Sequence, residues 1–130
     1  MFMRKKTKIL LIDDEEDFCY FVRLNLEKTG RFDVYTALNG HDGIAAAKAG
    51  RPDVILLDIL MPEMDGSEVA QRLQELWYTK TIPIVFLTAL VRKEEVEESG
   101  GVVGGHPVIA KPVTPDELIN AIELILERGI

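Results

Sequence analysis

The chain is poor in cysteine, in positive charge and in long apolar runs. Cys19 is the single cysteine among 130 residues, so no intramolecular disulfide can form. Set among Phe18, Tyr20 and Phe21, it reads as a small core residue rather than a reactive thiol. Against 22 Asp and Glu there are 15 Lys and Arg, a net charge of −7, which argues against non-specific binding to nucleic acid or an anionic membrane by this chain alone. No apolar run reaches the roughly 18 residues of a transmembrane helix. Met1 to Lys8 is basic but has neither the apolar stretch nor the small-residue cleavage site of a signal peptide. The expectation is a soluble cytoplasmic protein without membrane contact. The chain also shows no repeat, no low-complexity linker and no Walker-type glycine-lysine motif.

Apolar material is plentiful, at 47% hydrophobic residues in 130, enough for one domain with its own core. Two periodicities alternate along it. Short apolar or β-branched runs at Lys8–Ile12, Phe32–Ala37, Val54–Leu57, Pro83–Leu87 and within Val103–Ala110 read as strands. Between them lie helical segments. The first is Asp17–Lys28, with Phe18, Phe21, Val22 and Leu26 at helical spacing and Gly30 as a stop. The second is the alanine-rich His41–Ala49. A third is capped by Asp65 with Glu68 as capping-box partner and Val69, Leu73 and Leu76 on one face. Arg92–Glu98 is short and charged. The last begins at Thr114, with Pro115 at its first position, Glu117 as reciprocal cap, and Leu118, Ile119, Ile122 and Ile125 as its packing face. This βα alternation predicts an α/β fold with a parallel sheet covered on both sides. Ligands of such sheets bind at the carboxyl ends of the strands.

Those carboxyl ends carry the chemistry. Asp13-Asp14, Asp58, Thr88 and Lys111 each follow or close an apolar run. Alone, the acidic run Asp13 to Asp17 would suit a helix N-terminus. With Asp58 and Lys111 at matching positions it reads as one site. Crowded carboxylates repel, and a hard divalent ion such as Mg²⁺ relieves that cost while keeping room for phosphate oxygens. A carboxylate such as Asp58 can act as nucleophile toward phosphorus. Lys111 and Thr88 can then neutralise and position the phosphoryl oxygens. Pro112 restrains Lys111 to extended geometry, leaving either isomer of their peptide bond open. Met61-Pro62-Glu63-Met64-Asp65-Gly66 reads as a turn-rich loop in which Gly66 permits close approach.

Ile12-Asp13-Asp14-Glu15, Leu57-Asp58-Ile59-Leu60-Met61-Pro62 with Met64-Asp65-Gly66, Thr88-Ala89 and Lys111-Pro112 together resemble the receiver domain of two-component response regulators, over about Thr7 to Glu127. The resemblance implies a flavodoxin-like (βα)5 sandwich, five parallel strands in the order 2-1-3-4-5. It implies that Asp58 accepts a phosphoryl group from a sensor histidine kinase or histidine phosphotransfer protein. It further implies that Asp13 or Asp14, or both, bind Mg²⁺ together with Asp58 and the backbone carbonyl of Leu60, that Lys111 and Thr88 contact the phosphoryl group, and that Thr88 moves on activation. Residues 1–130 are then expected to be a single receiver domain (core about 7–127) with no output domain within them, either standing alone or belonging to a longer protein, and acting on a downstream effector or a detached output domain, with a homodimer left open. Its only catalysis would be its own phosphotransfer and dephosphorylation.

The chain departs from the family's pattern in three places. Val108 stands where receivers carry Tyr or Phe three residues before the lysine, and a valine cannot act as the same rotating plug. His106 shares its strand face and reads as a surface or loop residue rather than a substitute. Ser99 to Gly105 is unusually glycine-rich, so the signalling face around it is expected to differ in shape or mobility. Leu60 and Leu90 flank the expected path of a hydrolytic water, which predicts a long-lived phosphoryl group. Trp77-Tyr78 reads as local packing at a helix end. A phosphorylation-independent interaction module is the first alternative. An aspartate-nucleophile phosphatase is disfavoured because Leu60 replaces the second aspartate of that class. A flavin or mononucleotide binder is disfavoured by the acidic loop after the first strand.

Overall fold

Uninterrupted branched apolar runs favour strands covered on both sides, and the chain uses them that way. The structure, a computed structural model, describes residues 5–89, 92–98 and 100–128. In chain order the elements are β1 (Thr7–Ile12), α1 (Glu16–Glu27), β2 (Phe32–Ala37), α2 (Gly40–Gly50), β3 (Val54–Asp58), α3 (Gly66–Glu75), β4 (Ile84–Thr88), α4 (Lys93–Glu98), β5 (Val102–Val103), β6 (His106–Ala110) and α5 (Pro115–Arg128). The sheet order is β2-β1-β3-β4-β6-β5. Its five long strands are parallel, in the expected 2-1-3-4-5 arrangement once β6 is counted as the fifth.

Alternation along each strand sorts the core into two layers. Ile9, Leu11, Val54, Leu56, Val85 and Leu87 pack with Cys19, Val22 and Leu26 of α1 and with Leu118, Ile122 and Ile125 of α5. Leu10, Ile12, Ile55, Leu57 and Phe86 pack on the other side with Ala47 of α2 and with Val69, Ala70 and Leu73 of α3. Cys19 is the buried residue its neighbours suggested. Phe21, by contrast, is 38% exposed, because the buried stripe of α1 runs through Cys19, Val22 and Leu26. Leu76 likewise leaves the α3 face; it is the C-cap, in extended conformation.

Two caps were expected as reciprocal boxes. At α5 the box is complete: the Glu117 amide donates to Thr114 Oγ1 and the Thr114 amide to Glu117 Oε1, each at 3.1 Å. At α3 only half forms. Asp65 Oδ1 accepts from the Glu68 amide at 3.0 Å, but the Glu68 carboxylate pairs instead with Arg72, one turn on. Trp77 is 75% exposed and meets Tyr78 edge-on at 5.3 Å, so this pair is not buried at the end of α3.

The glycine-rich segment adds a sixth strand. Gly104 and Gly105 have φ of +59° and +85°, the left-handed values of a two-residue hairpin turn. They fold β5 back antiparallel onto β6, with Val103 opposite His106. The fifth parallel strand therefore does not stand at the sheet edge, and His106 is a half-buried strand residue rather than a loop residue. Among the described residues no helix is long and apolar enough to cross a membrane.

Candidate functional site

Strand register brings the polar strand ends together. Ile12 lies opposite Leu57, so Asp13 and Asp58 emerge side by side from neighbouring strands. Asp58 lies opposite Leu87, and Thr88 opposite Ala110. The Lys111 amide donates to the Thr88 carbonyl at 2.8 Å, which carries the β4–β6 ladder one step further and delivers Lys111 beside the acids. The Lys111-Pro112 peptide bond is cis. By the alternation of the pleat, Asp13, Asp58 and Lys111 fall on the α1/α5 side, whereas Thr88 falls on the side of Phe86 and Val108. Thr88 is thus fully buried at the same level as the others but across the sheet from them.

Lys111 is the hub. Its Nζ lies 2.7 Å from Asp13 Oδ2, 3.1 Å from Glu15 Oε1 and 3.6 Å from Asp58 Oδ2, with its side chain only 10% exposed. Asp13 is wholly buried; its Oδ1 accepts the Glu15 amide at 2.9 Å, and its carbonyl faces Cys19 Sγ at 3.4 Å. Asp58 Oδ1 accepts the Leu60 amide at 3.2 Å. Asp14 is exposed beside them, and one carboxylate oxygen from each of Asp13, Asp14 and Asp58 lies within 4.8 Å of the others. These are the residues that could hold a hard cation.

Electrostatics follow from this crowding. Burial raises the Asp58 pKa, the Asp13 charge raises it further, and Lys111 and the Leu60 N–H oppose the rise. Burial, the largest single influence, would lower the Lys111 pKa, but the hydrogen bonds to Asp13 and Glu15 together with the Asp13 and Asp58 charges leave it raised. Burial, with the Asp13 charge, pushes the Cys19 thiol up to about 12, so Cys19 is inert near neutrality.

A cavity of about 400 Å³ opens over the cluster, lined by Asp14, Glu15, Asp58, Leu60, Met61 and Lys111. Leu60 stands 62% exposed at its mouth. Leu90 lies outside the described residues. Beneath Asp58, Gly66 packs so tightly that a Cβ there would run into the Asp58 carbonyl and come within 2.8 Å of Ile59 Cα. The Gly66 amide also donates to the Ile59 carbonyl at 2.8 Å, pinning the loop that follows Asp58.

Val108 is buried opposite Phe86. His106 lies two residues earlier, its ring edge-on to Phe86 at 5.3 Å and its Nε2 3.1 Å from Gln74 Nε2. It sits at the far end of β6 from Ala110, the partner of Thr88, and so is out of position to replace the missing aromatic. Two residues at the site escaped the sequence reading: Glu15, which looked like part of an acidic helix start, and Phe18, whose ring centroid is 4.2 Å from Lys111 Nζ. Nothing in the spacing of Phe18 distinguishes it from a core position.

The chain is similar in sequence and in fold to known proteins. The chain is 36% identical over 123 residues to the alkaline phosphatase synthesis transcriptional regulatory protein PhoP of Bacillus subtilis, covering 94% of this chain and 49% of that protein. It is 36% identical over 121 residues to the DNA-binding dual master transcriptional regulator RpaA of Synechocystis, covering 93% and 49%. It therefore spans about half the length of these curated relatives. The solved structure of the Vibrio cholerae chemotaxis protein CheY4 superposes with a TM-score of 0.80 at 30% identity, over 93% of this chain and 99% of that one. The family described as the response regulator receiver domain matches residues 9–123, across the strand ends that supply Asp13, Asp58, Thr88 and Lys111. With its carboxylates and lysine gathered at one end of a 2-1-3-4-5 parallel sheet, the chain belongs to the receiver domain family of two-component response regulators.

Proposed function

We propose that Asp58 is the phosphoacceptor of this receiver. The observation that carries the reading is the gathering of Asp13, Asp14, Asp58 and Lys111 within a few ångströms of one another, with Asp14, Asp58 and Lys111 lining one cavity. An Asp58 carboxylate oxygen attacks the phosphorus of a phosphohistidine on a sensor kinase or phosphotransfer protein. The P–N bond breaks, its electrons stay on the imidazole, and an aspartyl phosphate forms. Lys111 pairs with one phosphoryl oxygen and Thr88, moving across the sheet end, donates its hydroxyl to another. Asp13, Asp14 and Asp58, with the Leu60 carbonyl, would hold Mg²⁺, whose chemistry is neutralisation of charge on the transferring group. The close-set carboxylate oxygens suit a hard cation: with one lysine among three aspartates, the group is left net negative.

The receiver spans residues 1–130 as one cytoplasmic signalling domain. It turns over no external substrate, and it signals to a protein effector without itself touching nucleic acid or membrane. An added phosphoryl group changes local charge by nearly two units and biases the surrounding loops. With Val108 in the aromatic position, the shift of Thr88 is read out without a swinging ring. Leu60 at the cavity mouth hinders an attacking water, so the phosphoryl group persists for minutes or longer. Incubation with Mg²⁺ and acetyl phosphate, followed by intact-mass spectrometry, should add one phosphoryl group to the wild type and none to Asp58→Ala. Labelling retained in that variant removes Asp58 from the role, and decay within seconds refutes slow hydrolysis.

A further inference from the structure

Phe18 has no part in the scheme above, yet its ring touches the cation on which that scheme depends. The strand and Pro112 fix only the backbone of Lys111; its ammonium sits at the end of four rotatable bonds. Asp13 and Glu15 take hydrogen bonds from it at 2.7 and 3.1 Å, while Asp58 at 3.6 Å is beyond hydrogen-bond distance. An ammonium has three N–H groups, so one remains for the Asp58 side. On a further side lies the Phe18 ring, with Nζ 4.2 Å from its centroid. A ring face is the negative part of the aromatic quadrupole and attracts a cation at this distance. Phe18 is itself held, packed against the α1/α5 core and backed by the Phe21 ring at 6.4 Å.

We propose that Phe18 is a positioning residue for phosphotransfer: its ring holds the Lys111 ammonium at the cavity wall and excludes water from one side of it, so that the remaining N–H stays directed at the group arriving on Asp58. This rests on the receiver reading above. A leucine at position 18 keeps an apolar side chain of somewhat smaller volume and loses the negative face; a tyrosine keeps both the size and the face.

The test uses the full chain with Mg²⁺ and acetyl phosphate and follows the initial rate of labelling by intact mass. Phe18→Leu should label about threefold to tenfold more slowly, the range expected for loss of one cation–π contact, with a melting temperature lowered by only about 2–8 °C, so that the protein stays folded under the assay conditions. Phe18→Tyr should return to within about twofold of wild type, since the ring face is retained. A Phe18→Leu variant as fast as wild type, or a Phe18→Tyr variant as slow as Phe18→Leu, overturns the proposal. The ring contact is tested apart from phosphorylation by NMR. The Lys111 ε-methylene protons should be ring-shifted upfield in the wild type and not in Phe18→Leu; equal shifts overturn the proposal, whereas failure of wild-type labelling with the upfield shift present points to the receiver reading instead.

Discussion

The two ends of β6 are built by different means. At its carboxyl end Lys111 enters a buried group of charges in which hydrogen bonds to Asp13 and Glu15, the Phe18 ring and the backbone of Thr88 each fix its place. At its amino end the chain turns through Gly104 and Gly105, and His106 meets the Phe86 ring and the Gln74 side chain. One end is overdetermined because charges in a low-dielectric setting must be paired. The other is set by backbone freedom and a few neutral contacts. The comparison teaches where this receiver can differ from its relatives without losing its chemistry: at the end of the strand that carries no charge.

Removing the hub should separate the two ends most sharply. Lys111→Met leaves Asp13 and Asp58 facing each other without a cation, and the expected loss is about 3–5 kcal/mol, read from urea denaturation in EDTA. Part of it should return with Mg²⁺ if the carboxylates bind the ion. A loss below about 1 kcal/mol would mean that the cluster is not held by charge. Next comes Gly66→Ala. Its methyl group must displace the backbone beneath Asp58, at about 1–3 kcal/mol, and the phosphorylation rate should fall with it. At the opposite end, Gly104→Ala forces a side chain into the left-handed region and should reduce stability by about 1 kcal/mol. There the phosphorylation rate should not change; a slowed rate would show that the hairpin communicates with the site.

The smallest effect is a gain. The folded pKa of Asp58 is raised, so the folded chain binds that proton more tightly than the unfolded chain does. Stability from this group is fully present below the unfolded carboxylate pKa and is lost as pH rises through the elevated folded value. At neutral pH, Asp58→Asn should therefore melt a few degrees higher than wild type in EDTA. It should also flatten the fall in stability between acid and neutral pH. An unchanged pH profile would place the charge strain elsewhere in the cluster.

Much of this was legible along the chain because parallel strands announce themselves as buried apolar runs and end where a polar residue appears. Asp13, Asp58, Thr88 and Lys111 were readable for that reason, and Thr114-Pro115 with Glu117 marked the start of α5 to the residue. Glu68 was misread as a reciprocal cap because Arg72, one turn along, competes for the same carboxylate. Phe21 was misplaced because a stripe through Phe18, Phe21 and Leu26 and one through Cys19, Val22 and Leu26 differ by a fraction of a turn. The glycine-rich stretch showed an irregularity, but not that it would close a hairpin and add a strand to the sheet edge.

The sequence by itself determined the alternation of elements, the family and the polar groups that close the strands, since these depend on residue type and on spacing within single segments. Only the tertiary structure decided how those groups face one another. Register between strands set Asp13 beside Asp58, the pleat put Thr88 across the sheet from both, and the angle of α1 laid Phe18 against Lys111. Such relations join segments as much as 98 residues apart, and no local preference encodes a distance between segments that meet only when the chain has folded.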